Sequence, residues 1–138
     1  MDEEYKLPAG WATVSLENLC KKKIQSGGTP LSSVKEYYDN GTIPWVITAD
    51  MTKAGKKIST TVKKITKEGL KNSNVKIFPI GTILFSMYGS IGKMSITEIE
   101  LGTNQAILGI IPDNNKVLTD YLYYILEFFK AGLISQAR

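Results

Sequence analysis

Between Thr82 and Pro112 the chain runs through three apolar or β-branched segments separated by little more than short turns. "TILFSMY", set off by Pro79 and Gly81, reads as a strand from Thr82 to Tyr88. "KMSITEI" reads as a second strand, with Met94 and Ile96 on one face. "QAILGIIP" is a third, almost wholly apolar and so expected to be buried on both faces. No long helix fits between them. Strands do not alternate with long helices anywhere in the chain, which argues against a doubly wound parallel sheet.

The first two strands are joined through "SMYGSIGKMSI", Ser86–Ile96, where Lys93 directly follows the second of two glycines. A nucleotide phosphate loop needs glycine five positions before the Gly-Lys pair and Ser or Thr after it. Met87 and Met94 stand there instead, and a strand follows where a long helix should. The Gly89–Gly92 pair is therefore a tight connection between strands. Lys93 is left as a point charge that could touch a phosphate.

The remaining segments are shorter. "GWATVSLENLC" reads as an extended piece and then a helical turn, with Leu16, Leu19 and Cys20 at i, i+3, i+4. "SGGTP" interrupts regular structure. "SVKEYYDNG" is a short helix or turn that Asn40-Gly41 ends, with Gly41 as the residue past the helix. "TIPWVITAD" is a strand, and Pro44 suits its edge or its start. In "MTKAGKKISTTVKK" the alternation of Ile58, Thr60 and Val62 predicts a twisted hairpin or an extended loop. "ITKEGLKNS" is a helical turn broken by Gly69.

The last segment, 118–138, is a helix. Thr119 is its expected N-cap, and Asp120 suits the positive end of the helix dipole. Leu122, Ile125, Leu126, Phe129 and Leu133 form one stripe, with Tyr121, Tyr124 and Phe128 on the adjoining face. A helix apolar nearly all round needs cover from its own domain or from a partner.

Composition narrows the chemistry. The 138 residues suit one domain, 1–138. There is no histidine, which removes Ser-His-Asp and Cys-His catalysis and histidine-ligated metals. The single cysteine, Cys20, allows no internal disulfide and no cysteine-cluster zinc site, and it reads as a small core hydrophobe. No G-x-G-x-x-G or G-x-S-x-G occurs. The only carboxylate-x-Lys triplet of the metal-nuclease kind is Glu4-Tyr5-Lys6, near a terminus. Glu98 and Glu100 suit a solvent face better than a metal. No catalytic residue, metal or cofactor is expected. No apolar run approaches the roughly 18 residues of a membrane span, and the acidic N-terminus lacks a signal's apolar core. No membrane contact and a cytoplasmic location are expected.

Charge is unevenly spread. Residues 53–76 hold Lys53, Lys56, Lys57, Lys63, Lys64, Lys67, Lys71 and Lys76 against Glu68 alone, in a chain of net +4. Such a stretch is an electrostatic footprint for a polyanion or a solvated lysine-rich loop. Several loops combine glycine with small polar residues: Ser26-Gly27-Gly28-Thr29, Thr48-Ala49-Asp50, Tyr88-Gly89-Ser90 and Thr103-Asn104-Gln105. Their amides and hydroxyls are of the kind that contact phosphates and base edges, and equally of the kind that build turns. Arginine occurs only at Arg138, so base readout would lean on Lys, Asn, Gln, Ser and Thr.

Taken in order, "GWATVSLENLC", "IQSGGTP", "EYYDNGTIPWVITADM", "ITKEGLKNSNVKIFPIGTILFSMYGSIGKMSI", "TNQAI" and "YLYYIL" resemble the target recognition domain of type I restriction-modification specificity subunits. The resemblance covers nearly the whole chain. It implies an α+β fold with a twisted, mostly antiparallel β core, short helices and a C-terminal helix. It also implies a non-catalytic module that binds double-stranded DNA and reads half of a bipartite site. In a complete subunit two such domains, separated by spacer helices, hold S-adenosylmethionine-dependent modification subunits, which a restriction subunit joins. This chain matches one domain, like a half-sized subunit or a piece of one, with 118–138 leading towards the spacer. The DNA-contacting candidates are Gly27, Gly28, Thr29, Thr48, Asp50, Lys53, Lys56, Lys57, Lys63, Lys64, Tyr88, Ser90, Lys93, Asn104 and Gln105. The glycines and Trp45 also suit a purely structural role. The competing expectation is an interaction module that binds a modification subunit, or forms a homodimer through its C-terminal helix, without reading DNA.

Overall fold

The computed structural model describes residues 15–88 and 91–137, with 131–137 by backbone alone. After a 3-10 turn, Glu17–Leu19, the elements run β1 (Gln25–Ser26), a second 3-10 turn (Lys35–Tyr37), β2 (Ile43–Val46), α1 (Thr48–Ala54), β3 (Lys57–Ile58) and β4 (Lys63–Ile65). Then come α2 (Lys67–Lys71), β5 (Ile83–Ser86), β6 (Met94–Thr97), β7 (Gly102–Thr103), β8 (Ile107–Ile110) and α3 (Thr119–Ala137). Five strands form one sheet in the order β1-β8-β5-β6-β3, and three form another, β4-β2-β7. The three runs noted between 82 and 112 form the antiparallel centre, β8-β5-β6. Among the described residues, parallel pairing is confined to β3 with β6 and β2 with β7. The fold is the expected α+β arrangement.

Strand alternation divides the core. On β5, Leu84 faces a cluster with Val46, Met51, Ile58, Phe78, Leu101 and Ile107. Its neighbours Ile83 and Phe85 face the opposite way. There Met94, Ile96 and Ile110 meet Leu122, Tyr123 and Leu126 of α3, and Leu16, Leu19 and Cys20 pack beside them. Hydroxyls on the first face are buried and bonded: Ser95 Oγ donates to the Gly55 carbonyl at 2.5 Å and Thr97 Oγ1 to that of Pro79 at 2.8 Å. The third cluster, Trp45, Ile65 and Val75, supports the smaller sheet. Gly109 of β8 sits under the Phe78 ring, where a Cβ would come within 2.2 Å of a ring carbon.

Several local expectations change. The stretch expected as a hairpin is a helix followed by two strands in different sheets. Ile58 goes into the core while Val62 stays 81% exposed, so the alternation did not mark one strand. Gly69 does not break a helix; it lies inside α2, where a Cβ would meet the Tyr37 carbonyl at 2.6 Å. The left-handed residue after the second 3-10 turn is Asn40, φ 61, and not Gly41. Thr119 is the first residue of α3, and its hydroxyl accepts from the Asn114 amide at 3.0 Å. The buried line of α3 is Leu122, Tyr123 and Leu126, because the helix turns that edge to β5 and β6. Phe129, expected in the stripe, is 60% exposed. Val14 and the rest of the N-terminal extended piece, Gly89, Ser90 and the Leu133 side chain lie outside the described residues.

Candidate nucleic-acid interface

The loop after β1 is fixed at several points. The Gly27 amide donates to the Ile107 carbonyl at 3.2 Å, and the Gly28 amide to that of Thr103 at 2.9 Å. The Trp45 indole N–H donates to the Gly28 carbonyl at 3.0 Å, and the Tyr38 hydroxyl donates to the Pro30 carbonyl. A Cβ at Gly27 would lie 2.1 Å from the Thr103 carbonyl oxygen, so this glycine is required by close backbone approach. Thr29, an exposed residue of the loop, donates its hydroxyl to the Gln105 side-chain oxygen. Next to Gln105, Asn104 Oδ1 accepts the Ala106 amide at 3.0 Å, an Asx turn. Two loops that are 76 residues apart in sequence thus share one edge.

Lys63 and Lys64 come to the same place. They lie on β4, an edge strand of the smaller sheet, opposite Trp45 and Pro44. With Thr29, Ser32, Tyr38 and Trp45 they line an open recess of about 420 Å³. Burial raises the Tyr38 phenol pKa above its ordinary 10.0. Sequence reading missed Ser32 and Tyr38 as recess residues. The hydroxyls just after Pro30 in "TPLSS" were the available signal for Ser32. The β5–β6 turn adjoins the other side of the Gln105 loop, because the Met87 amide donates to the Ala106 carbonyl at 2.7 Å. Tyr88 there is 65% exposed. Lys93 is exposed beyond Gly92, φ 88, with its amide held by Ser86 Oγ at 3.0 Å.

A second group surrounds α1. Lys53 and Lys57, with Ser59, Thr60 and Thr61, line a recess of about 480 Å³. Asp50 also borders it, but its carboxylate is committed. One oxygen accepts the Ile47 amide at 2.9 Å at the start of α1, and the other the Val62 amide at 3.1 Å. Asp50 is 7% exposed and so holds the 59–62 connection in place. Thr48 is half-buried in the first turn of α1, not in a loop, and its carbonyl accepts the Thr52 hydroxyl at 3.3 Å.

Lys56 turns the other way. Its ammonium donates to the Tyr124 phenol oxygen at 2.8 Å and lies 3.7 Å from Asp120. The bond to Tyr124 and the charge of Asp120 raise its pKa above the ordinary 10.5. Cys20 is no nucleophile candidate: its thiol donates to the Leu16 carbonyl at 3.3 Å, and burial, with Glu17 nearby, pushes its pKa up. Among the described residues no cluster of three or more His, Cys, Asp or Glu could hold a metal. No helix among them is long and apolar enough to cross a membrane.

A family model described as the type I restriction modification DNA specificity domain matches residues 8–137. The specificity subunit of the type I restriction enzyme MjaIX of Methanocaldococcus jannaschii is 33% identical over 123 residues, covering 88% of this chain and 28% of that protein. The EcoR124I/EcoR124II specificity subunit of Escherichia coli is 27% identical over 120 residues, covering 84% and 29%. The chain therefore spans under a third of the length of these relatives. In three dimensions it is similar to the crystal structure of the HsdS subunit from Thermoanaerobacter tengcongensis. The TM-score is 0.68 at 21% identity, covering 94% of this chain and 30% of that one, which supports the shared fold.

Proposed function

This chain belongs to the family of type I restriction-modification DNA specificity domains, and on that premise we propose that it is a non-catalytic module that binds duplex DNA. It reads half of a bipartite sequence and directs a modification subunit, and through it a restriction subunit, to the site. One observation carries the reading. Of the eight lysines in 53–76, all but Lys56 are exposed, and among the described residues none of those seven is ion-paired. Uncompensated exposed charge of this kind favours a polyanion, since each phosphate neutralised releases counterions.

The test is a titration of the full chain with labelled mixed-sequence duplex over a range of salt. Log affinity should fall linearly with log salt, and selection from the pool should enrich one sequence. Absence of any complex at low salt would sink the reading.

A second reading has its own observation. Tyr121 (62%), Tyr124 (56%), Phe128 (79%) and Phe129 (60%) are exposed along α3. An aromatic face of this kind favours self-association or seating on a modification subunit. Light scattering during size exclusion separates the two, because a monomer at high concentration removes the self-associating form.

A further inference from the structure

We propose that the recess between the Gly28–Ser32 loop and β4 is a seat for one phosphate of the DNA backbone, with Lys63, Lys64 and Ser32 as its contacts and Gln105 as a donor at its rim. The proposal rests on the duplex-binding reading and adds a location and a division of labour. These residues set register on the duplex and do not choose bases.

The lining is the first argument. Thr29, Ser32, Tyr38, Trp45, Lys63 and Lys64 line about 420 Å³, so two cationic and two aliphatic hydroxyl residues border it, and no carboxylate does. The recess beside α1 includes Asp50, and the one between β3 and the start of α3 includes Glu98 and Asp120. A negative ligand is therefore best matched at the first. Rigidity is the second argument. Gly27, Gly28 and Pro30 are each held by a hydrogen bond from or to the surrounding strands and aromatics, so the loop is organised before a ligand arrives.

The Thr29–Gln105 bond supplies the third. The Thr29 hydroxyl has one proton and gives it to the Gln105 oxygen, so Thr29 itself has none left for a phosphate. The same bond fixes which end of the Gln105 amide is occupied, leaving its NH2 group as the outward donor. Thr29 is then a positioning residue that acts through Gln105.

The experiment compares full-chain variants on mixed-sequence duplex, with circular dichroism melts confirming folding. Lys63→Gln with Lys64→Gln should flatten the log–log salt slope by about one, since the slope counts phosphates neutralised and one is lost. The sequence enriched from the pool should stay the same. Thr29→Val should weaken binding severalfold at unchanged slope, and add nothing in a Gln105→Ala background. An unchanged slope in the lysine variant overturns the seat, and additive losses for Thr29→Val and Gln105→Ala overturn the positioning role. Calorimetry with inorganic phosphate alone distinguishes a small-anion site: saturable, Lys63-dependent uptake with no change in duplex slope would also overturn the proposal. If the wild-type chain binds no duplex, the proposed function fails with it. If it binds with a slope these lysines do not share, only the seat fails.

Discussion

The Lys56 ammonium lies 2.8 Å from the Tyr124 phenol oxygen, 4.4 Å from the centre of that ring and 5.5 Å from the centre of the Tyr123 ring. A residue of the most basic stretch is thereby committed to α3, with Asp120 completing the contact. Its two lysine neighbours in that stretch, Lys53 and Lys57, remain exposed.

Lys56 and Lys57 should therefore separate on substitution. Lys56→Met should lower the melting midpoint and speed amide exchange in α3, whereas Lys57→Met should leave both unchanged. Exchange mass spectrometry reads the difference. Equal exchange rates in the two variants would remove Lys56 as the clasp on α3.

The same contact gives a pH dependence. The folded pKa of Lys56 is raised above 10.5, so its contribution is fully present below that value and lost as pH rises through the folded one. Burial raises the Tyr123 phenol above its ordinary 10.0, which acts in the same direction. α3 should loosen only in strong alkali. Amide exchange in the helix, followed from neutral pH upwards and corrected for intrinsic rate, should show no loosening until that range.

Trp45→Phe keeps most of the ring volume and removes the indole N–H. The Gly28 carbonyl then loses its donor in a buried setting, at about 1–3 kcal/mol. Duplex affinity should fall as well, since that carbonyl helps to fix the Thr29 loop. Urea melts and the salt titration measure the two effects, and full stability in the variant would argue against the bond.

Asp50→Asn tests whether this candidate acts as an anchor or as a reader. Its carboxylate accepts the Ile47 and Val62 amides; Asn keeps one acceptor oxygen and turns an NH2 donor towards the other amide, which should cost about 1–3 kcal/mol. A variant that melts like wild type but enriches a different DNA sequence would contradict the anchoring role.

Gly27→Ala should be among the most damaging single-methyl changes, because the new Cβ meets backbone atoms of Thr103 and Asn104 at 2.1 and 2.5 Å. Relief requires moving β7 or the loop, an overpacking cost of about 1–3 kcal/mol or more. Gly55→Ala meets no atom within 4 Å and should cost only the strain of φ 77. Comparing the two by thermal melts isolates close approach from backbone freedom.

Much of the fold was legible because its signals are local. The β5, β6 and β8 runs announce themselves by β-branched and apolar content, and the failed phosphate-loop spacing in Ser86–Ile96 was enough to make that stretch a strand connection. The ordered motifs from "SGGTP" to "TNQAI" carried the family. The burial of Leu122 and Leu126 followed from helical spacing.

What local pattern could not hold was partnership across the chain. Ile58, Thr60 and Val62 alternate like one strand, yet only Ile58 finds a sheet, beside Thr97. Lys56 is indistinguishable from Lys57 in sequence until α3 arrives 68 residues later and supplies Tyr124. Thr29 and Gln105 were separate loop residues until β8 paired with β1 and brought their ends together. The sequence by itself determined which segments are strands, where most of the charge lies and what family the chain resembles, because propensity, charge and motif spacing are properties of neighbours. Tertiary structure alone decided which lysine anchors a helix, which acid is buried and which loops share an edge. Those outcomes depend on hydrogen bonds and close approach between residues the chain keeps far apart.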